Sequence, residues 1–252
     1  LPRRNGWLVV ANYSQQLGSH CQAAANDSSR CRIDRSNLKT GAGSTHVVHY
    51  NSPMTKRIDK RWHAADGTPL HLRPVRPDDA ARLRRSLDRL SPEARRQRFL
   101  APVTSIGDAF VQGLTEVSSE RQLVLLVLGR ENGEEIPVAG GRILVGDTPE
   151  TGDACEFALI IGDAWQGQGI GRRLLRALIE AAEARGLRRM TGHILLDNRP
   201  MLALARHQGF TIDATPGDTQ TRTATLDLPR RHSLPPASLW QRLAGRFLPG
   251  RR

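Results

Sequence analysis

A glycine-rich loop is the feature of this sequence whose residue types and spacing most clearly suggest chemistry. It lies shortly after the apolar run "ACEFALII" and leads directly into Arg172 and Arg173. Where a strand turns into a helix, unpaired backbone N–H groups and the helix dipole attract phosphate, and glycines allow it close access. We therefore predict a diphosphate site, with a ligand-free tight turn as the alternative, at Gln166, Gly167, Gln168, Gly169, Ile170 and Gly171.

Two common nucleotide-binding motifs do not fit this loop. A dinucleotide-binding G-x-G-x-x-G would place its third glycine one position after Gly171, with an acidic residue about 20 positions further on. A P-loop has Lys followed by Ser or Thr after its last glycine. Here Gly171 is followed by Arg172 and Arg173. Arg172 stands where the first motif needs glycine, and the two arginines stand where the P-loop needs Lys and Ser or Thr, so neither motif is present.

Glu156 is the best candidate for proton transfer, because it lies in the otherwise apolar strand "ACEFALII". A carboxylate among apolar neighbours has a raised pKa, which suits a general base. The alternative is a glutamate that faces solvent at alternate positions of a strand. No His, Cys or Asp cluster has metal-ligand spacing, so no metal site is predicted.

The charge of the chain argues against a nucleic-acid enzyme. The formal net charge is +12 over 252 residues, but residues 66–228 contain 21 Lys/Arg and 22 Asp/Glu. Residues 1–65 and 229–252 carry the excess of basic residues. The last segment also places Leu239, Trp240 and Phe247 on one face of a possible helix. Such a helix could contact anionic lipid or nucleic acid. The favoured interpretation is that this segment packs against its own domain as a helix or is disordered.

The remaining composition favours a bacterial, cytoplasmic protein. Three cysteines make no disulfide framework, and no apolar run approaches the ~18 residues of a membrane span. "WLVVA" near the start is too short for the apolar region of a signal peptide. Only three lysines stand against 34 arginines, which is typical of a GC-rich genome.

Three segments are expected along the chain. Residues 1–65 have poor periodicity and many Ser, Asn, Gln and Gly residues, so we expect a disordered extension. Its first 53 residues are interpreted as lying upstream of a true start at Met54. Residues 66–228 alternate strand and helix patterns and predict an α/β domain with a mixed sheet. Residues 229–252 form a basic, proline-rich and amphipathic tail.

Several motifs in this order resemble the GNAT superfamily of acetyl-CoA-dependent N-acetyltransferases. The segment Gln166–Gly171 matches the family's phosphate loop, and "NRPMLALARHQGF" resembles its asparagine-started helix. "LHLRPVRPDDA" resembles the family's first strand and helix. Together with "SPEARRQRFLAP", the set is most similar to the GNAT domains of bacterial protein lysine acetyltransferases. The resemblance covers about residues 68–228 and implies one domain with a central, mostly antiparallel mixed sheet flanked by helices.

The resemblance also implies a role for each candidate residue. Glu156 would be the general base, and the pantetheine arm of acetyl-CoA would pair with the strand at Leu159, Ile160 and Ile161. The loop and Arg172 would hold the diphosphate, and Asn198 would hydrogen-bond the pantetheine arm. Many family members have a tyrosine that protonates the thiolate where this chain has Ala205. His207 or water is the alternative proton donor.

These features predict an enzyme that transfers acetyl from acetyl-CoA to a primary amine by direct attack. A protein lysine is the favoured acceptor, and a small-molecule amine or a protein N-terminus is the rival. A third hypothesis is a non-catalytic domain that binds acyl-CoA as a sensor. Glu156 argues against this hypothesis, and the absence of the tyrosine argues mildly for it.

Overall fold

The computed structural model describes residues 8–10, 58–116, 121–146 and 152–229. The C-terminal tail and nearly all of the N-terminal extension lie outside these ranges. Two 3-10 turns lie at Pro77–Asp79 and Asp163–Trp165. The strands are β1 (Leu8–Val10), β2 (Lys60–His63), β3 (Pro69–Pro74), β4 (Gln122–Glu131), β5 (Glu134–Val145), β6 (Ala154–Ile161), β7 (Arg189–Leu195), β8 (Thr211–Thr215) and β9 (Asp218–Asp227). The helices are α1 (Ala80–Asp88), α2 (Pro92–Phe99), α3 (Asp108–Thr115), α4 (Ile170–Ala184) and α5 (Arg199–His207).

The strands form one mixed, mostly antiparallel sheet, as predicted. Its order is β2-β3-β4-β5-β6-β7-β9-β8, and β1 pairs with β6 beside this path. Only β6 and β7 are parallel; the other neighbours are antiparallel. The β4–β5 hairpin turns at Asn132 and Gly133, which both have positive φ, as a tight hairpin turn requires.

Helices cover both faces of the sheet, and β4 shows why. Leu123, Leu125 and Val127 face a core built with α4 and α5. The alternate residues Val124, Leu126 and Leu128 face a second core built with α1, α2 and α3. Because side chains of a strand alternate between faces, a continuous apolar run such as "LVLLVL" is what a sheet covered on both sides needs.

A buried ion pair fixes the junction between β3 and α1. The two terminal nitrogens of the Arg73 guanidinium each donate to the Asp79 carboxylate at 2.7 Å, and the backbone N–H of Arg76 donates to it at 2.8 Å. Burial alone would raise the pKa of Asp79, but these hydrogen bonds and the charge of Arg73 hold it below its ordinary value. The pair therefore orients α1 over the sheet.

Two strands lie in the stretch that the sequence assigns to a disordered extension. Lys60–His63 pairs with β3, so the sheet begins before the predicted boundary at residue 66. Leu8–Val10 pairs with β6. A strand of three or four residues has too few positions to display a period in the sequence, and pairing with an existing sheet edge is what orders it.

None of the helices formed by the described residues is both long and apolar enough to cross a lipid bilayer.

Candidate functional site: a glycine loop beside an opening in the sheet

The glycine loop connects the end of β6 to the start of α4. Gly167 and Gly169 have φ values of 73° and 76°, a left-handed conformation that glycine adopts without strain. A Cβ atom at either position would meet no atom within 4 Å, so the protein leaves the space around both glycines open. Arg173 N donates to Gly169 O and closes the first turn of α4. The N–H groups before it lack partners inside the helix, as at any helix start.

A cavity of ≈ 540 Å³ lies along this loop. One wall is the loop itself, with Arg172 at its end. The opposite wall comes from α5, through Pro200, Ala203 and Leu204, and His207 lies at its rim. A polar backbone loop facing an apolar wall is the combination that a ligand with a diphosphate and an aliphatic chain would need.

The two glutamines of the loop hold its shape. Gln166 Nε2 donates to the carbonyl of Ile161 at 3.4 Å, and Gln168 Nε2 donates to that of Ala164 at 3.2 Å. Gln168 does not line the cavity. Its side chain therefore helps to hold the loop, and its contact with the cofactor stays a prediction.

The sheet opens beside the loop, between β6 and β7. These strands pair only from Ala154 to Glu156, opposite Arg189–Thr191. Beyond Glu156, β7 pairs with β9 alone, so the edge of β6 that faces β7 can pair with another extended segment. The segment Leu159–Ile161, predicted to pair with pantetheine, lies on this edge.

In this structure β1 pairs with that same edge. Leu8 lies opposite Ile161, Val9 opposite Ile160, and Val10 opposite Leu159, in antiparallel register. The edge is thus able to add an extended partner through its backbone groups. It also follows that β1 and any ligand paired with Leu159–Ile161 would use the same hydrogen-bonding positions.

Glu156 is the last residue of β6 that pairs with β7, so it lies at the point where the strands separate. Its side chain is half-buried and lies on the face covered by α1, α2 and α3, because Phe157 and Leu159 face the other core. Burial raises the pKa of the Glu156 carboxyl, and the positive charge of Arg142 partly offsets the rise. Arg142 lies on β5, opposite Ala158 and on the same face.

Arg98 of α2 is a residue of this region that the sequence analysis did not identify. It is buried, and its guanidinium lies 5.3 Å from the ring centre of Phe99 and 5.5 Å from that of Phe110. Burial and the charge of Arg142 lower the pKa of Arg98 to about 9, so it stays protonated at neutral pH. The only sequence signal for a buried cation here was the presence of Phe99 and Phe110, because the faces of aromatic rings attract cations.

Asn198 and Ala205 have structural positions in α5. The Asn198 side chain accepts a hydrogen bond from Met201 N at 3.2 Å and caps the helix, and the residue is buried. This bond uses one acceptor position of the side-chain oxygen, and the contact of Asn198 with the pantetheine arm stays a prediction. Ala205 is fully buried in the core, so a larger residue there would have to displace its neighbours. His207, at the end of the helix, is exposed at the rim of the cavity.

Cysteine thiols and metal-ligand clusters are two other sources of reactivity in a protein. Cys155, the one cysteine in the described part of the chain, is buried, and burial raises the pKa of its thiol to about 12, so a reactive thiolate does not form at neutral pH. Within residues 58–116, 121–146 and 152–229, no group of three or more His, Cys, Asp and Glu side chains is placed to hold a metal ion.

Comparisons with known proteins agree with this geometry. The sequence pattern of the Acetyltransferase (GNAT) family matches residues 90–210. "Acetyltransferase PA5475" of Pseudomonas aeruginosa is 32% identical over 154 residues, which span 61% of this chain and 81% of that protein. "Acetyltransferase Pat" of Mycolicibacterium smegmatis is 31% identical over 135 residues, which span 54% of this chain and 39% of that protein.

Solved structures show the same fold. The GNAT domain of S. lividans PAT superposes with a TM-score of 0.61 at 25% identity, over 68% of this chain and 98% of that domain. A GNAT acetyltransferase from Streptococcus pneumoniae has a TM-score of 0.52 at 23% identity, over 64% of this chain and 99% of that chain, which supports the fold alone. The glycine loop before α4, the opening between β6 and β7, and the shared sequence over most of one relative lead to one conclusion: this chain belongs to the GNAT family of acetyltransferases.

Proposed function

We propose that the protein transfers the acetyl group of acetyl-CoA directly to a primary amine, with Glu156 as the general base and a protein lysine as the acceptor. The observation that carries this proposal is the position of Glu156. It is a half-buried carboxylate with a raised pKa, and it lies where β6 and β7 separate, beside the edge that can pair with an extended ligand. A base at this point is close to where a thioester paired with that edge would end.

The cofactor would follow the loop and the strand edge. Its diphosphate would accept hydrogen bonds from backbone N–H groups of the glycine loop, with the charge of Arg172 nearby. The pantetheine arm would lie along Leu159–Ile161, as β1 does in this structure. The N–H near Ile160 would then polarise the thioester carbonyl, because a backbone donor aimed at the developing oxyanion stabilises the transition state.

The chemistry needs one base and a good leaving group. Glu156 removes a proton from the ammonium form of the acceptor, and the nitrogen lone pair then attacks the carbonyl carbon of the thioester. The carbon–nitrogen bond forms, the tetrahedral intermediate collapses, and the carbon–sulfur bond breaks. Coenzyme A leaves as a thiolate, because a thiol of ordinary pKa is a competent leaving group. The attacking nitrogen loses its second surplus proton as the amide forms, water passes this proton to the thiolate, and the proton on Glu156 is released to solvent.

In this arrangement the two substrates approach the reaction site from opposite faces of the sheet. The cavity at the glycine loop is bounded by α4 and α5, whereas the Glu156 side chain lies on the face of α1, α2 and α3. The acceptor would therefore reach the carboxylate from the α1–α3 side. The buried Arg98 and the half-buried Arg142 lie on that side too, so we expect their charges to influence the acceptor site.

The acceptor class is supported by similarity to the two bacterial proteins named Pat and by the motifs that resemble protein lysine acetyltransferases. We also propose a cytoplasmic location, where acetyl-CoA and protein lysines are both available. To test the acceptor, a cell lysate is incubated with acetyl-CoA and either the wild type or Glu156→Gln, and acetyl-lysine is mapped by mass spectrometry. Sites that appear only with the wild type support the proposal. Turnover on polyamines or amino sugars without protein sites would assign a small-molecule acceptor, and binding without turnover would assign a sensor.

Removing residues 1–53 is expected to raise the affinity for acetyl-CoA, by up to about tenfold, which corresponds to 1.4 kcal/mol. The reason is that β1 pairs with Leu159–Ile161, the edge proposed for pantetheine. Isothermal titration calorimetry compares the full chain with a chain that begins at Met54. Deletion of residues 230–252 is the control and should leave the affinity unchanged. A folded protein without residues 1–53 that binds acetyl-CoA more weakly would show that the segment helps to build the site.

A further inference from the structure

A second cavity, of ≈ 750 Å³, continues from the cavity at the glycine loop. The two cavities share Arg172 and His207, so they are neighbours along the start of α4. The rest of the second cavity is lined by β2 and β3, by the first turns of α4 and by the end of α5. Its volume is in the range of small-ligand sites, about 300–1,000 Å³.

The walls of this second cavity are strongly cationic. They carry Lys60, Arg61, Arg172, Arg173 and Arg176. Among the described residues one carboxylate compensates them: Glu180 accepts from Lys60 Nζ at 2.7 Å and from Arg176 Nε at 3.3 Å. Arg173 is held over the ring of Trp62, at 5.3 Å from its centre. The cavity therefore has several positive charges left to interact with an anion.

The position of the α4 arginines is unfavourable for the helix itself. Arg172, Arg173 and Arg176 lie in its first two turns, which form the positive end of the helix dipole. A cation there typically destabilises a helix, whereas an anion stabilises it. An anion bound between the helix and β2 would reverse this effect, and it would lie close to Lys60, the β2 cation that contacts α4 through Glu180. Arg173 contacts Trp62 and Arg176 contacts Glu180, but three cations at this end of the helix remain unfavourable for its dipole, and a bound anion would relieve that.

We propose that this cationic cavity binds the 3′-phosphate of coenzyme A and makes the enzyme discriminate against cofactors that lack it. This inference rests on the proposed cofactor site. In coenzyme A the diphosphate lies between the pantetheine arm and the 3′-phosphoadenosine. A ligand whose pantetheine lies on Leu159–Ile161 and whose diphosphate lies on the glycine loop must continue past Arg172. The next space is the second cavity.

The 3′-phosphate also has the right chemistry for these walls. It is a phosphate monoester with a charge of about −1.5 to −2 at neutral pH and three acceptor oxygens. Guanidinium groups bind such oxygens through charge-assisted, often bidentate hydrogen bonds. Arg173 and Arg176 lie one turn apart on α4 and both line this cavity, so both can contact one phosphate bound there.

The test compares acetyl-CoA with acetyl-dephospho-CoA by isothermal titration calorimetry. The wild type is expected to bind acetyl-CoA on the order of tenfold more tightly. The double variant Arg173→Gln/Arg176→Gln changes two residues that line the second cavity but not the cavity at the glycine loop. It should lose about that tenfold preference, and its affinity for acetyl-dephospho-CoA should stay the same. Arg130→Gln is the matched control, because Arg130 is also exposed but lies in the β4–β5 hairpin. It should keep the preference of the wild type. Higher salt should reduce the preference in the wild type, because exposed charges are screened.

Three results would overturn the proposal. These are equal affinities of the wild type for the two cofactors, an equal loss of both affinities in the double variant, and an equal effect of Arg130→Gln. Adenosine 3′,5′-bisphosphate provides an independent probe, and it should compete with acetyl-CoA in the wild type and compete less in the double variant. A different result is expected if the proposed cofactor site itself is wrong. Substitutions in the glycine loop would then leave the affinity for acetyl-dephospho-CoA unchanged.

Discussion

Glu156→Gln is expected to slow acetyl transfer by about 10²–10⁴-fold and to leave the affinity for acetyl-CoA unchanged. Glutamine keeps the size of the side chain and its ability to hydrogen-bond, but it does not accept a proton from the amine. The glycine loop follows β6, and its cavity lies on the other face of the sheet from the Glu156 side chain, so cofactor binding should not depend on the carboxylate. The rate is measured as release of free thiol at saturating acetyl-CoA, and the affinity by calorimetry.

The pH dependence of the same variant tests the role of the carboxylate directly. Because burial raises the pKa of Glu156, the wild-type rate should fall as the pH decreases through a pKa above the ordinary glutamate value. The base is then protonated and inactive. Glu156→Gln should lack this acidic limb. Glu134→Gln, an exposed glutamate in the β4–β5 hairpin, is the control and should keep both rate and limb. A folded Glu156→Gln protein with the wild-type rate would remove Glu156 from the mechanism.

The glycine loop and the elements around it could be predicted from the sequence because their signals are local. Three glycines at alternate positions, at the start of an amphipathic helix, predict a turn whose backbone has positive φ, because glycine adopts such angles without strain. The structure places Gly167 and Gly169 in the left-handed conformation, and α4 begins at Ile170. The apolar run of β4 likewise predicted a strand, and its alternate residues contact the two cores.

Features that depend on pairing between distant segments could not be predicted in this way. The opening at Glu156 arises because β7 pairs with β9 beyond Thr191 and leaves β6. No residue of β6 itself encodes that separation. The second cavity forms because Lys60 and Trp62 of β2 lie beside α4, more than 100 positions later in the chain. Neither residue has a sequence signal, since β2 is a short edge strand within a segment of low periodicity.

Family motifs also do not say how each side chain is used. Asn198 matches the motif, and in the structure its oxygen caps α5 through Met201 N. Gln168 matches the loop pattern, and its side chain donates to Ala164 O within the loop. In both cases the residue type suits two roles, since a carboxamide can bind a ligand or satisfy backbone groups at a turn or helix end. The two roles are also compatible, since a carboxamide can make one bond within the fold and another to a ligand, so the cofactor contacts of both residues stay predictions.

Gly169→Glu is expected to lower the affinity for acetyl-CoA by at least about 100-fold, equivalent to roughly 2.8 kcal/mol, while the protein still folds. Gly169 has a φ of 76°, and a Cβ atom there would meet no protein atom within 4 Å, so the new side chain has room in the unliganded protein. The left-handed conformation costs a non-glycine residue about 1–2 kcal/mol. The carboxylate would extend into the space proposed for the diphosphate, where it would repel the phosphates and block their approach to the N–H groups of α4. Gly169→Ala adds the strain without the charge or the bulk and should cause a smaller loss.

Gly186→Glu separates the ligand effect from the strain in that experiment. Gly186 has a φ of 74° at the other end of α4, and a Cβ atom there also meets nothing within 4 Å. The backbone strain is therefore matched, and a carboxylate at the negative end of the helix dipole should destabilise the fold at least as much as one at Gly169. If the glycine loop holds the diphosphate, thermal unfolding should show Gly186→Glu to be no more stable than Gly169→Glu, and yet only Gly169→Glu should lose affinity in calorimetry. Unchanged affinity for acetyl-CoA in a folded Gly169→Glu protein would refute the site, because a carboxylate and a diphosphate cannot occupy the same N–H groups at the start of one helix.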